Sequence, residues 1–382
     1  MPKMIYADYN ATAPLRPEAR EAMLAAFELG ANASSVHGPG RSARLQVERA
    51  RSAIAQAIGA RTQDVIFTSG GTEAAALALQ GAVAQLEGNC TLLVSAIEHE
   101  AVGRNAGMAG ALVETVYVNA NGQIDLDSLR ARLNVWDKDR DGVPILALMF
   151  ANNETGVIQP VREATKLVRD AGGLVICDAV QGLGKCPINV GLLGVDYLAL
   201  SAHKVGGPQG VGALWLRSGA PLKPIVRGGG QERALRAGTE NVAGIAGFGA
   251  ATDAAIRDQG SLSALAPLRD QMEARLKSAL GLVVFGEGVE RLPQTSNFAI
   301  PNFRAETQVM ALDLAGVAIS SGAACSSGKV SRSLVLSAMG VNAELAECAV
   351  RISFGWDSKA QEFDAVANAW LDAARRVMST RA

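Results

Sequence analysis

Up to about residue 240, short apolar runs alternate with stretches of helical spacing. "DVIFTSGG" (64–71) is an apolar run ending in glycines, and the helix-forming "TEAAALALQGAVAQL" (72–86) follows it. "TLLVSAIEH" (91–99), "ALVETVYV" (111–118), "PILALMFANNETG" (144–156), "GLVICDAVQG" (173–182), "YLALSAHKVGGPQG" (197–210) and "GALWLR" (212–217) read as further strands, with a helix around "REATKLVRDA" (162–171). Such alternation predicts an α/β domain with a mainly parallel sheet covered by helices on both faces. Polar residues cluster where the apolar runs end, at Thr72, His99, Asn152–Asn153, Asp178–Gln181 and Ser201–Lys204. In sheets of this kind, ligands gather beyond the carboxyl ends of the strands. After about residue 240 the pattern changes. Alanine-rich helical stretches (241–258 and 262–280) precede "TSNFAIPN" (295–302), "ISSGAACSSG" (319–328) and "AVRISFGW" (349–356). The expected division is a large α/β domain over 15–255 and a smaller α+β domain made of 1–14 with 256–382.

The length of 382 residues fits two domains, and 49% apolar residues are enough for packed cores. Charge is balanced, with 36 Lys and Arg against 37 Asp and Glu, so no whole-chain attraction to nucleic acid or an anionic membrane is expected. The opening "MPKMIYADYN" lacks the apolar run of a signal peptide. The longest apolar stretch, near "VPILALMFA" (143–151), is well short of the roughly 20 residues of a membrane span. Five cysteines, an odd count without CxxC pairs or metal-ligand spacing, point to free thiols in a reducing cytoplasm.

Two segments carry candidate chemistry. A lysine past a strand is ordinarily a surface charge, and an acid at a strand end ordinarily caps a turn. Lys204, however, lies beside Ser201 and His203 and is followed by Gly206, Gly207 and Gly210, which permit close backbone approach to a ligand. Upstream, Asp178 ends the apolar "GLVIC". An amine and an acid so placed meet two needs of pyridoxal 5'-phosphate: a covalent anchor and a partner for the protonated ring nitrogen. Gly71 and Thr72 open a helix, where free N–H groups and the helix dipole favour a phosphate. The second segment is "SSGAACSSGKV" (320–330), where Cys325 stands among Ser, Gly and Ala rather than the large apolar neighbours of a structural thiol.

"DYNATAP", "SGGTEAAAL", "EHEAV", "ANNETGVIQP", "CDAVQGLGK", "SAHKVGGPQGVGAL", "GGGQERALRAGTEN" and "SSGAACSSGKVSRS" resemble, in order, the motifs of the NifS/IscS branch of cysteine desulfurases. These are fold-type I pyridoxal-phosphate enzymes of the class V aminotransferase group, and the likeness runs from about residue 5 to 357. The resemblance implies a seven-stranded type of sheet in the large domain. It implies that Lys204 anchors the cofactor, Asp178 pairs with its ring nitrogen, and Gln181 and Asn153 face its phenolic oxygen. His99 would stack on the ring and shuttle protons, while Gly71, Thr72, Ser201 and His203 hold the phosphate. Thr239 would reach the neighbouring subunit's phosphate, making the active unit a homodimer. Arg351, with Asn153, would bind the carboxylate of L-cysteine, and Cys325 would accept its sulfur as a persulfide.

The implied activity is sulfur removal from L-cysteine, giving L-alanine and sulfur for iron–sulfur clusters or other thio-cofactors by way of an acceptor or scaffold protein. A selenocysteine lyase or another class V transaminase or lyase is the alternative. No resident metal is expected, with at most a transient iron–sulfur contact at Cys325. Cys90, Cys177 and Cys348 read as ordinary buried thiols, Cys186 as half exposed, and His37 as open between lining the substrate mouth and no role. Ala33 and Trp356–Asp357 depart from the usual pattern, as does the short tail "ARRVMSTRA", which leaves partner identity open.

Overall fold

A computed structural model describes residues 4–322 and 332–379. Its main sheet is built from β1 (Val65–Thr68), β2 (Cys90–Ser95), β3 (Leu112–Val116), β4 (Val143–Met149), β5 (Leu174–Asp178), β6 (Tyr197–Ser201) and β7 (Gly212–Leu216). The spatial order is β1-β7-β6-β5-β4-β2-β3. β2 through β6 pair in parallel, and β7 alone runs against both of its neighbours. The reason is local. Only residues 202–211 link β6 to β7, fewer than the dozen or more that a parallel crossover needs.

Apart from the exposed edge strand β3, the strands read as largely apolar runs because both faces are covered. Alternate residues face opposite sides. Phe67, Leu93, Leu146, Leu148, Val175, Cys177, Leu198 and Leu200 join one core, together with helices α1 (Gly38–Ala57), α4 (Val161–Asp170) and α5 (Val242–Arg257). Ile66, Leu92, Val94, Ile145, Ala147, Ile176, Tyr197 and Ala199 join the other, against α2 (Gly71–Gln85) and α3 (Glu100–Met108). The helix expected over 262–280 is two helices, Gln259–Ser263 and α6 (Ala266–Leu280), whose second residue is a proline that starts rather than continues a helix.

A second sheet comprises β8 (Val283–Val284), β9 (Thr295–Ala299), β10 (Ser320–Ser321) and β11 (Ala349–Ser353), in the antiparallel order β10-β11-β9-β8. Its apolar face packs on α6 and α7 (Ala360–Ser379) in a separate core that includes Leu276, Phe298, Val350, Ile352, Phe354 and Trp370. Ala7, from the N-terminal arm, belongs to this core, and Ile5–Tyr6 pairs with Val317–Ala318. Among the described residues, no helix is long and apolar enough to cross a membrane.

Candidate active site

A cavity of about 330 Å³ opens beyond the carboxyl ends of the main-sheet strands. Gly71 and Thr72 enter it after β1, His99 after β2, Asn153 after β4, Asp178 and Gln181 from the end of β5, and Ser201, His203 and Lys204 from the end of β6. Arg351 reaches it from the second sheet. Its neighbours on β11, Val350 and Ile352, face the second core, so the two-residue period of a strand turns Arg351 the other way.

Ten sequence-predicted residues therefore line one cavity: Gly71, Thr72, His99, Asn153, Asp178, Gln181, Ser201, His203, Lys204 and Arg351. Thr239 does not: it is exposed and outside the cavity wall. Cys325 lies outside the described residues. His37 is also away from the cavity. It caps α1, with Nδ1 accepting the Gly40 N–H, which accounts for it structurally. Cys90, Cys177 and Cys348 are buried and Cys186 is half-buried.

The Lys204 ammonium donates to the carbonyls of Asn10 (2.6 Å) and Ala11 (2.8 Å). Asp178 accepts the Val180 N–H at 3.0 Å. Burial pushes its carboxyl above the usual range, and the charges of His99 and Lys204 work against that. Close by, Glu98 accepts the Met149 N–H at 2.7 Å, and burial with the Asp178 charge holds its pKa well up. His99 caps α3, its Nδ1 accepting the Ala101 N–H at 3.1 Å, so the neutral ring carries its proton on Nε2. His203 is pulled down to about 4 by burial, then by Lys204 and Lys185, and is neutral at pH 7. Its Nδ1 pairs with Thr12 Oγ1 at 3.2 Å.

α2 begins at Gly71 with no side-chain cap, leaving its first N–H groups for a ligand. A Cβ on Gly71 would come within 2.7 Å of Val180 Cγ2, so only glycine fits between this turn and the strand-end loop. The Arg351 guanidinium is 1% exposed. It donates from Nη1 to Asn153 O (3.1 Å) and from Nη2 to Asp8 Oδ1 (2.6 Å), while Nε is buried without a partner among the described residues.

Asp8 and Asn10 are site residues that the sequence reading quoted within "DYNATAP" but assigned no role. Asn10 is 1% exposed. Its carbonyl takes Lys204 and the Gln181 amide, while its side chain donates to Asn153 O (3.2 Å) and Thr295 Oγ1 (3.0 Å). The available signal was a polar triplet flanking a short strand, which by itself reads as a turn.

The donor set fits pyridoxal phosphate. An amine and a half-buried acid share a cavity of suitable size, and an uncapped helix start with hydroxyls of Thr72 and Ser201 faces the same space. A mainly parallel, doubly covered sheet with these groups at its strand ends defines a pyridoxal-phosphate-dependent α/β enzyme. More particularly, the chain belongs to the aminotransferase class-V family, whose model matches residues 5–366. It is 42% identical to a cysteine desulfurase of Cereibacter sphaeroides over 371 residues, covering 94% of this chain and 93% of that one. It is 40% identical to a cysteine desulfurase IscS of Dictyoglomus turgidum, covering 93% and 90%. Among solved structures, a NifS-like protein superposes with a TM-score of 0.89 at 33% identity, covering 97% of this chain and 99% of that one.

Proposed function

We propose that the chain is a cysteine desulfurase that removes sulfur from L-cysteine and leaves L-alanine, the sulfur passing to the Cys325 thiol. The exchange balances: the substrate C–S bond breaks, an S–S bond forms at Cys325, and L-alanine leaves with one hydrogen gained in place of its thiol group. The observation that carries this reading is the single cavity joining Lys204, Asp178, His99 and Arg351.

The bound cofactor supplies an electron sink for charge developed at the substrate Cα. Everything else falls to the chain. The Asp178 carboxylate would pair with the protonated ring nitrogen, the ring cation supplying the counter-charge that offsets the carboxylate's burial. Gln181 and Asn153 face the phenolic oxygen, and the α2 start with Thr72, Ser201 and His203 takes the phosphate. Arg351 clamps the substrate carboxylate, for which its uncommitted Nε and remaining fork hydrogens are available. Lys204, once exchanged for substrate, moves protons at Cα. His99 carries a proton on Nε2 for the same chemistry. Thr239, exposed and away from its own cavity, serves the partner subunit's phosphate in a homodimer.

β10 supports the sulfur step. Ser320 pairs with Arg351, and Cys325 follows five residues later, a span of at most roughly 18 Å. The two separate apolar cores support the division into 15–255 and 1–14 with 256–382. An acceptor or scaffold protein in the cytoplasm receives the sulfur in this reading.

Cofactor-loaded protein given L-cysteine should yield L-alanine and, with a thiol reductant, sulfide. Cys325→Ala should form coloured substrate adducts yet release no sulfur. Sulfur release from that variant at the wild-type rate would remove Cys325 from the reaction. Turnover that requires a keto acid would point to a transaminase, and strict preference for selenocysteine to a lyase of that substrate.

A further inference from the structure

Lys185 is 6% exposed, and among the described residues no carboxylate meets it. Its Nζ donates to Gln181 Oε1 (2.5 Å) and Asn10 Oδ1 (3.4 Å), both neutral acceptors. The charged and titratable groups that act on it are Lys204, Cys186 and Arg351, and it acts in turn on His203. A buried ammonium without a counter-charge is costly. Burial, then the charge of Lys204, accordingly bring Lys185 down to about 7. A small cavity of about 30 Å³ is lined by both Lys185 and Lys204. Burial of this kind at no evident gain in packing calls for a role.

Geometry supplies one. An ammonium facing Gln181 requires the amide oxygen at that end, because a lysine ammonium has donors only. The amide NH₂ is thereby turned the other way. One of its hydrogens goes to the Asn10 carbonyl at 3.0 Å, which also accepts from Lys204, and the other remains for the cavity that Gln181 lines. Without Lys185 the amide's orientation would rest on the Asn10 carbonyl alone, an acceptor that Lys204 already shares.

We propose that Lys185 is a positioning residue, which locks the Gln181 amide with its N–H group toward the cofactor cavity and so tunes the cofactor held at Lys204. This rests on the cofactor reading above. The readout is the visible absorption of cofactor-loaded protein without substrate, titrated with pH. Lys185→Met keeps the volume and removes the donor. It is expected to raise the midpoint of the pH-dependent spectral change by about one unit, or tenfold, because the stabilising N–H is no longer fixed. Lys185→Gln keeps a donor for the Gln181 oxygen and should stay near the wild-type midpoint. Gln181→Leu should shift as Lys185→Met does, and the double variant should shift no further.

A wild-type midpoint in Lys185→Met or in Gln181→Leu would overturn the proposal. So would additive shifts, or a Lys185→Gln variant that matches Lys185→Met, since charge alone would then be responsible. Should Lys185→Met fail to fold, Lys185→Ala, which also removes the donor, supplies the same readout. The absence of any visible band in the wild-type protein would sink the cofactor reading itself. A wild-type band that both Lys185→Met and Gln181→Leu reproduce unchanged would sink this inference alone.

Discussion

Glu154 offers a sharp test of how burial governs charge around the Arg351 clamp. It is 8% exposed in the turn after β4, and its Oε2 accepts the Ser333 hydroxyl at 2.5 Å. Burial lifts its carboxyl from the ordinary 4.5 to about 7, outweighing the Ser333 hydrogen bond and the charge of Arg351, which both lower it. The native state therefore keeps a proton that the unfolded chain releases above pH 4.5. Between pH 4.5 and 7, the contribution of Glu154 to stability must fall as pH rises, and the loss is complete above 7. A shift of this size, at about 1.4 kcal/mol per unit, corresponds to roughly 3 kcal/mol at most. Glu154→Gln keeps a carbonyl oxygen for Ser333 and cannot ionise. Its urea midpoint should match wild type near pH 5 and exceed it near pH 8. A variant weaker than wild type at both pH values by the same amount, or one with an unchanged pH slope, would refute the claim that Glu154 is buried neutral.

Arg351→Lys keeps a charge for Asp8 but loses the fork, and KM for L-cysteine should rise roughly tenfold to a hundredfold, the worth of a charge-assisted hydrogen bond. Unchanged cofactor loading with an unchanged KM would contradict the clamp. Glu232 accepts from Arg51 Nη1 (2.6 Å), Arg51 Nη2 (2.9 Å) and the Phe67 N–H (2.9 Å), all buried, so Glu232→Ala strands the Phe67 amide and leaves Arg51 with only the exposed Glu48 carboxylate at 3.3 Å as counter-charge. It should cost about 3–5 kcal/mol in thermal or urea unfolding, while replacing both Arg51 and Glu232 with Met should cost less than Glu232→Ala alone.

Much of the main sheet was legible because its strands are buried on both faces and so appear as uninterrupted apolar runs. The catalytic candidates were legible for a related reason: Asp178, Ser201 and Lys204 are polar where an apolar run stops, which marks a strand's carboxyl end. The reversed β7 was not read out, since an apolar run does not encode the direction of its partner, although the shortness of 202–211 did contain that information. Asp8 and Asn10 escaped for another reason. Their partners lie far off in sequence, Arg351 being 343 positions from Asp8, and no local pattern announces such a contact. Lys185 was hidden by composition, because a lysine after "GLG" in a turn looks solvated. Its burial follows from the packing of the β5 end loop against the N-terminal arm, which only the assembled fold creates.

The arm also decides how the two halves of the site are held relative to each other. Lys204 and Gln181 come from the main sheet and both donate to the Asn10 carbonyl. Arg351 and Thr295 come from the second sheet. Thr295 accepts from the Asn10 side chain, and Arg351 shares with that side chain the Asn153 carbonyl. One residue of the arm therefore fixes the distance between the amine that works at the substrate Cα and the guanidinium that holds its carboxylate. Misplacement of about 1 Å between such groups is enough to cost roughly a hundredfold in rate. Since Asn10 gives its carbonyl to Lys204 and Gln181 and its amide N–H groups to Thr295 and to the Asn153 carbonyl that Arg351 also uses, aspartate at this position could keep the first set of bonds but would lose both of those donors. The arm is thus a structural part of the catalytic apparatus, although none of its side chains need touch the reacting atoms.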